Sequence, residues 1–426
     1  NAASRTLILE LRGSNTDNNM ITSRLIDSTA GSNPMILAVT KNDGGTWILN
    51  PSVANTFTGA LTVSGGNLGL TTNGIGAATA ITMGNASIFA YGGPLTTSAI
   101  FQGNNATAVL SGQNNITINR AGLTAVQKTA GNNQWTISNN LENGALWTVN
   151  GNFTNLENGS TAATQTISIR GYGSTVWNGA ITENAAAGGK IAWSIGIANN
   201  ATYTMQGAAN TYTGATSLIQ GTLILDKNAG VSPLGATSGL NFNGGVIQGG
   251  ANDLTGASAI NTPITLGGDP ATFSGTKNIE LNAATAIAMA ASRLLINDLS
   301  GGATLTITGN ISNTAASTLT VLGSANTTLN GIYAAGTGAN GLTYSGTGTF
   351  TSNGANTATG ALTVNRGTVV LGGANGAWTA GTFVINANGI LRLNNTTNNN
   401  NRLFDTGAIN IQGGTLDFIG NDTTGT

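Results

Sequence analysis

The chain reads as all-β, and within that class as a right-handed parallel β-helix, or β-solenoid. Three observations predict this: an approximate internal repeat, strand-length phrases broken by Gly and Asn along most of the chain, and very little charge. Charged residues make up 7% of the 426, against about 25% in an ordinary soluble domain. The polar half is therefore Asn, Thr, Ser and Gly, short side chains that suit turns and bond the backbone. With 40% hydrophobic residues, the chain lacks the low-hydrophobicity, high-charge signature of disorder.

The repeat comes first. Segments Ala54 to Leu70 (ANTFTGALTVSGGNLGL), Ala209 to Leu225 (ANTYTGATSLIQGTLIL) and Ala355 to Leu371 (ANTATGALTVNRGTVVL) align without gaps. Asn55, Asn210 and Asn356 correspond, as do Thr56, Thr211 and Thr357, and Gly59, Gly214 and Gly360. The offsets are 155 and 146 residues, so the unit recurs only approximately. Thr46-Trp47, Thr202-Tyr203 and Thr349-Phe350 precede the three copies.

Each copy reads as strand, turn, strand. Ala60 to Val63 and Ala361 to Val364 alternate small or polar with branched apolar residues, the period of a half-buried strand. Ser64-Gly65-Gly66 and Asn365-Arg366-Gly367 are turn chemistry. Asn67 to Leu70 and Thr368 to Leu371 then resume as strands. The same grammar fills Ile116 to Asn119, Thr166 to Arg170, Thr304 to Thr308, Ser317 to Leu322 and Gly414 to Phe418. Ala283 to Ser292 is the one Ala-rich run, open to a helix or to a strand of small residues.

Scarce charge favours a solenoid over a sandwich. Stacked coils bring equivalent residues together at about 4.8 Å, where Thr and Asn ladders are comfortable and like charges repel. A coil of about 20–25 residues predicts about 17–21 coils and a rod of about 80–100 Å. The expectation is one continuous solenoid over residues 1–426, processed from or part of a longer protein.

Composition also excludes chemistry. Net charge is −1, from 14 basic and 15 acidic residues, which steers neither nucleic acid nor anionic lipid. Histidine and cysteine are both absent, which removes imidazole and thiolate catalysis, disulfides and the corresponding metal ligands. Apolar runs such as Met35 to Val39 are far shorter than a membrane-spanning helix. No cofactor is expected.

The three copies resemble the autotransporter-associated β-strand repeat, also called the passenger-associated transport repeat, whose pattern opens Asn-Thr-Tyr-Thr-Gly and closes on Gly-Thr-Leu. Asn210 to Leu225 (NTYTGATSLIQGTLIL) is the nearest copy. Leu9 to Asp27 with Gly44-Gly45-Thr46-Trp47 looks like the rung that precedes such repeats. The motif covers about fifty residues. The resemblance implies a β-helix exported to the surface of a bacterial cell or beyond it. Such repeats occur in adhesins, in proteases and in uncharacterised giant proteins, and the family's C-terminal membrane barrel is not in this sequence.

Candidate chemistry is thin. Glycoside hydrolysis needs two carboxylates about 5–10 Å apart, whereas Glu142, Glu157, Glu183, Asp226, Asp253, Asp269, Glu280 and Asp298 are scattered. Asp417 and Asp422 are nearest in sequence, and Glu280 and Asp298 could stack on adjacent coils. The plainer reading is solvated loop carboxylates. Gly249 to Leu254 (GGANDL) resembles one copy of a Ca²⁺-binding nonapeptide, or a turn satisfied by Asn252 and Asp253. Gly65-Gly66, Gly188-Gly189 and Gly372-Gly373 read as turns, not phosphate loops. Trp135, Trp147, Trp177 and Trp193 are the candidate carbohydrate contacts, as a sugar-stacking platform, or else they fill the core. Asn394 to Asn401 is a loop or an Asn ladder.

Neither Asn1 to Arg12 nor the final residues read as a cap. Each end is expected to meet another solenoid, either more of the same polypeptide or a second copy. The functional expectation is a non-enzymatic extracellular structural or adhesive protein, with a polysaccharide-degrading or carbohydrate-binding β-helix as the alternative.

Overall fold

Alternating apolar and polar residues, interrupted by Gly and Asn, produce short strands that stack in parallel. The computed structural model describes residues 5–28, 35–78, 80–103, 106–119, 124–125, 133–154, 164–183, 190–235, 239–283 and 286–421. The fold is a parallel β-solenoid of about 15 turns, and no α-helix occurs among the described residues. Two compact units divide it, Asn1–Ala215 and Thr216–Thr426.

In the first unit each coil presents three strand positions. The first stacks Arg5–Leu11, Met35–Lys41, Leu61–Val63, Ala80–Met83 and Ile100–Gly103. The second runs from Asn19–Ile21 through Thr107–Gly112, Asn133–Leu141 and Thr164–Gly171 to Lys190–Ile197. The third runs from Leu95–Thr97 through Ile116–Ile118, Leu146–Val149 and Ser174–Trp177 to Thr202–Gly207. Like residues meet, as in the ladder Ile137, Ile169, Ile195.

The second unit repeats the scheme. Thr222–Lys227, Val246–Gly249, Ala271–Gly275 and Arg293–Leu299 stack in one sheet, and Leu305–Ile307, Thr327–Leu329 and Thr349–Ser352 in another. The expected threonine ladders are present: Thr306, Thr328 and Thr351 pair in register, as do Thr320, Thr343 and Thr363. Ala283 to Ser292 contains the strand Ile287–Met289, so the strand alternative holds there.

Many turns have the expected length, and a set of longer ones lowers their number. Ile81 follows its partner Leu61 by 20 residues, but Ile167 follows Trp135 by 32. Strand register is kept whatever the length of the turn.

Every copy turns between its two strands on a glycine with positive φ: Gly66 at 65°, Gly221 at 84° and Gly367 at 68°. Glycine takes this conformation at no steric cost.

The core lies inside the coils. In the first unit it includes an aromatic stack in which Trp147 meets Trp177 at 6.0 Å, Trp177 meets Trp193 at 5.3 Å, and Phe153 and Tyr203 extend the group. Edge-to-face geometry, 82° for the first pair and 73° for the second, is the arrangement that aromatic quadrupoles favour.

Candidate functional site

The repeat residues form a coil-to-coil clamp. The side-chain Oδ1 of Asn55, Asn210 and Asn356 accepts the backbone N–H of Leu25, Ile181 and Tyr333 at 2.7, 2.9 and 2.8 Å. The next residue, Thr56, Thr211 or Thr357, donates its N–H to the carbonyl of that same residue at 2.9, 2.9 and 3.1 Å. One residue of the preceding coil is thus held through both its N–H and its C=O. The three asparagines are buried. Asn356 Nδ2 also donates to Ser352 Oγ and to the carbonyls of Gly354 and Ala377.

Gly59, Gly214 and Gly360 serve a different end. A Cβ there would collide with the backbone of Leu37, Ile191 and Asn340, respectively. The coil before passes too close for any side chain.

Two residues beyond the clamped position the first two copies place an acid. Asp27 accepts the N–H of Leu37 at 2.8 Å and the Thr58 hydroxyl at 2.7 Å. Glu183 accepts the N–H of Ile191 at 2.6 Å, and both the N–H and the hydroxyl of Thr213 at 2.8 Å. The Thr58 hydroxyl, then the Leu37 amide, hold the Asp27 carboxyl below the usual aspartate range. The third copy has Ala335 here, and its N–H donates to Thr357 Oγ1 at 2.9 Å instead.

Four further acids also accept bonds from neighbouring turns, and Asp298 is solvent-exposed. Asp226 accepts from Ala251 N–H, Asp253 from the backbone and side chain of Asn278, Asp269 from Leu294 N–H, and Glu280 from Gly256 N–H and Thr308. Each bond reaches an adjacent turn. Glu280 and Asp298 do not stack: Glu280 pairs with Thr306 in one sheet and Asp298 with Ser274 in another. Asp417 pairs with Arg392 at 2.7 Å. Glu157, Asp422 and Gly188-Gly189 lie outside the described residues. Asn252 Nδ2 donates to the Lys227 carbonyl and Asp253 accepts from the Asn278 N–H, so both bond neighbouring coils. No group of three His, Cys, Asp or Glu that could hold a metal occurs among the described residues.

The tryptophans require a correction. Trp135, Trp147, Trp177 and Trp193 are at most 2% exposed, so none offers a ring face to a sugar. Parity explains it. Trp147 shares strand parity with buried Val149, and Trp193 with buried Ile191 and Ile195. That signal was present in the sequence.

Buried cations tie turns down. Lys41 Nζ donates to the carbonyls of Asn42, Asp43 and Gly65, and desolvation pushes its ammonium below the usual lysine range. Arg402 is buried beneath the Asn-rich segment, which is a loop. Its guanidinium donates to Asn395 Oδ1 and to the carbonyls of Gly373, Gly376 and Thr397.

Sequence reasoning missed one surface feature. Between Asn133–Leu141 and Leu146–Val149 the chain turns through Asn143 and Gly144, both at positive φ. The turn and the next coil frame a groove of about 360 Å³ beside the exposed ring of Tyr172.

No family model matches the chain, and no curated protein or solved structure is found to be similar to it.

Proposed function

We propose that the chain is a non-enzymatic structural or adhesive protein of the bacterial cell surface or exterior, of the autotransporter-associated repeat type. One observation carries this reading. Asp27, Glu183, Asp226, Asp253, Asp269 and Glu280 each accept a backbone N–H of an adjacent turn. A carboxylate whose oxygens are taken up by structural N–H donors is poorly placed to exchange a proton with a substrate, which requires hydrogen-bond reach to the reacting group. Localisation is tested by gold labelling of intact cells that make the protein. Surface label is expected, and label only after permeabilisation would refute export. Release of reducing ends from a polysaccharide panel would replace the scaffold with the enzyme reading.

The reading includes end-on association with another β-coil. Strands Ala408–Gln412 and Thr415–Ile419 are each the last in their sheets among the described residues. Their sequence from Ile409 to Phe418 (INIQGGTLDF) parallels Leu240 to Gly249 (LNFNGGVIQG). Leu240, Phe242 and Ile247 are at most 1% exposed beneath the coil that follows, whereas Ile409, Ile411 and Leu416 are 43, 53 and 37% exposed. More of the same polypeptide or a second copy supplies such a coil, the copy through Arg5–Leu11, where Leu7 and Ile8 are exposed. Sedimentation velocity is expected to show association that grows with concentration and is lost in Ile411→Asp. Monomers at every concentration would end self-association.

A further inference from the structure

The bend between the second and third strand positions of the first unit carries an exposed aromatic ring that the scaffold does not use. Tyr172 follows strand Thr164–Gly171 and is 48% exposed. Its hydroxyl donates to Glu142 Oε1 at 3.3 Å, and the ring lines the groove. Glu142, Asn143, Leu146, Ser174 and Asn200 are among the residues that line it. Leu146 is also exposed, so an aromatic face and an aliphatic side chain lie beside a carboxylate, two amides and a hydroxyl.

We propose that this groove binds a neutral oligosaccharide. A sugar ring has an apolar C–H face and a rim of hydroxyls that both donate and accept. The Tyr172 ring and Leu146 suit the face. The Glu142 carboxylate accepts from hydroxyls, and the Asn143 and Asn200 amides do both. The groove is at the small end of ligand sites, which run to about 300–1,000 Å³. Charge selects among saccharides. No Lys or Arg lines the groove, so uronates and sulfated sugars meet Glu142 with no compensating cation.

The same bend recurs in an earlier coil of this unit. Tyr91 lies between strands Ala86–Ala90 and Leu95–Thr97, beside a second groove of about 440 Å³. Asn50, Asn73 and Pro94 help line it, and no charged residue does. A second aromatic beside uncharged hydrogen-bonding groups fits the same class of ligand.

The test displays neutral cello-, laminari-, malto-, manno- and galacto-hexasaccharides with uronate and sulfated oligosaccharides, probes them with the full chain, and follows with calorimetry. Binding to a neutral glycan is expected. Tyr172→Ala weakens it at least about tenfold, Tyr172→Phe retains most of it, and Glu142→Gln lowers it, with unchanged circular dichroism throughout. The proposal is overturned if no neutral glycan binds, if anionic glycans are preferred, or if Tyr172→Ala binds as well as the parent.

Discussion

The asparagine of each repeat is worth its burial because it grips the coil before it. Truncating Asn356 to Ala removes the acceptor of the Tyr333 N–H and the Nδ2 donor to Ser352 Oγ and the Ala377 carbonyl, while the Gly354 carbonyl keeps the Ala377 N–H. At about 1–3 kcal/mol per unsatisfied buried group, we expect Asn356→Ala to lose at least about 2 kcal/mol in urea unfolding. Asn150 belongs to an exposed ladder, accepting from Asn178 and donating to Asn119, both at 2.6 Å. Asn150→Ala is expected to cost under about 0.5 kcal/mol; equal losses would show that burial is not what matters. Asp27 yields a pH prediction. Its folded pKa is depressed by Thr58 and then Leu37, so its contribution is present above the unfolded value of about 3.9 and is lost as pH falls through the folded value. Unfolding midpoints at about pH 6 and about pH 3 are expected to differ less in Asp27→Asn than in the parent.

At the scale of the strand and turn, the decisive variable is how closely one coil approaches the next. Gly360 and Gly372 separate the two roles that glycine can have. A Cβ on Gly360 runs into the backbone of Asn340, whereas one on Gly372 makes ordinary contact with Asn353 and Val370. Gly360→Ala is expected to destabilise by about 1–3 kcal/mol. Gly372→Ala is expected to be neutral or to stabilise by up to about 1 kcal/mol. Thermal melts of both variants check the pair, and a tolerated Gly360→Ala would mean the coils separate easily. Strands were the most legible part of the sequence. Ala60 to Val63 became Leu61–Val63, Thr304 to Thr308 became Leu305–Ile307, and Asn67 to Leu70 kept its bounds. Period-2 patterning is local, and it survives folding. Partners of the acids were illegible, because Asp27 bonds Thr58 and Glu280 bonds Thr308 a turn away, a distance set by coil lengths that vary. Of the two readings open for the tryptophans, strand parity already favoured the core, where they lie, whereas Tyr172 stands at a bend, outside any periodic pattern.

At the scale of the whole molecule, ion pairs contribute little. Three ion pairs occur among the described residues, and at least one partner of each is well exposed or half-exposed. Exposed pairs are worth about 0–1 kcal/mol and are screened by salt. We therefore expect unfolding free energy to change by less than about 0.5 kcal/mol between about 0.05 and about 1 M NaCl. A larger loss at high salt would assign stability to the charged minority. The variable turn length has a consequence for how such a chain acquires its structure. Paired strands are separated by tens of residues throughout, as in Leu61 with Ile81 and Trp135 with Ile167. Relative contact order is therefore about 0.06, against about 0.16–0.22 for β-sandwiches and barrels. A chain emerging from a ribosome or a narrow pore needs only its most recent few dozen residues to complete the next rung. Folding can keep pace with delivery, one end first, while the remainder is still threaded.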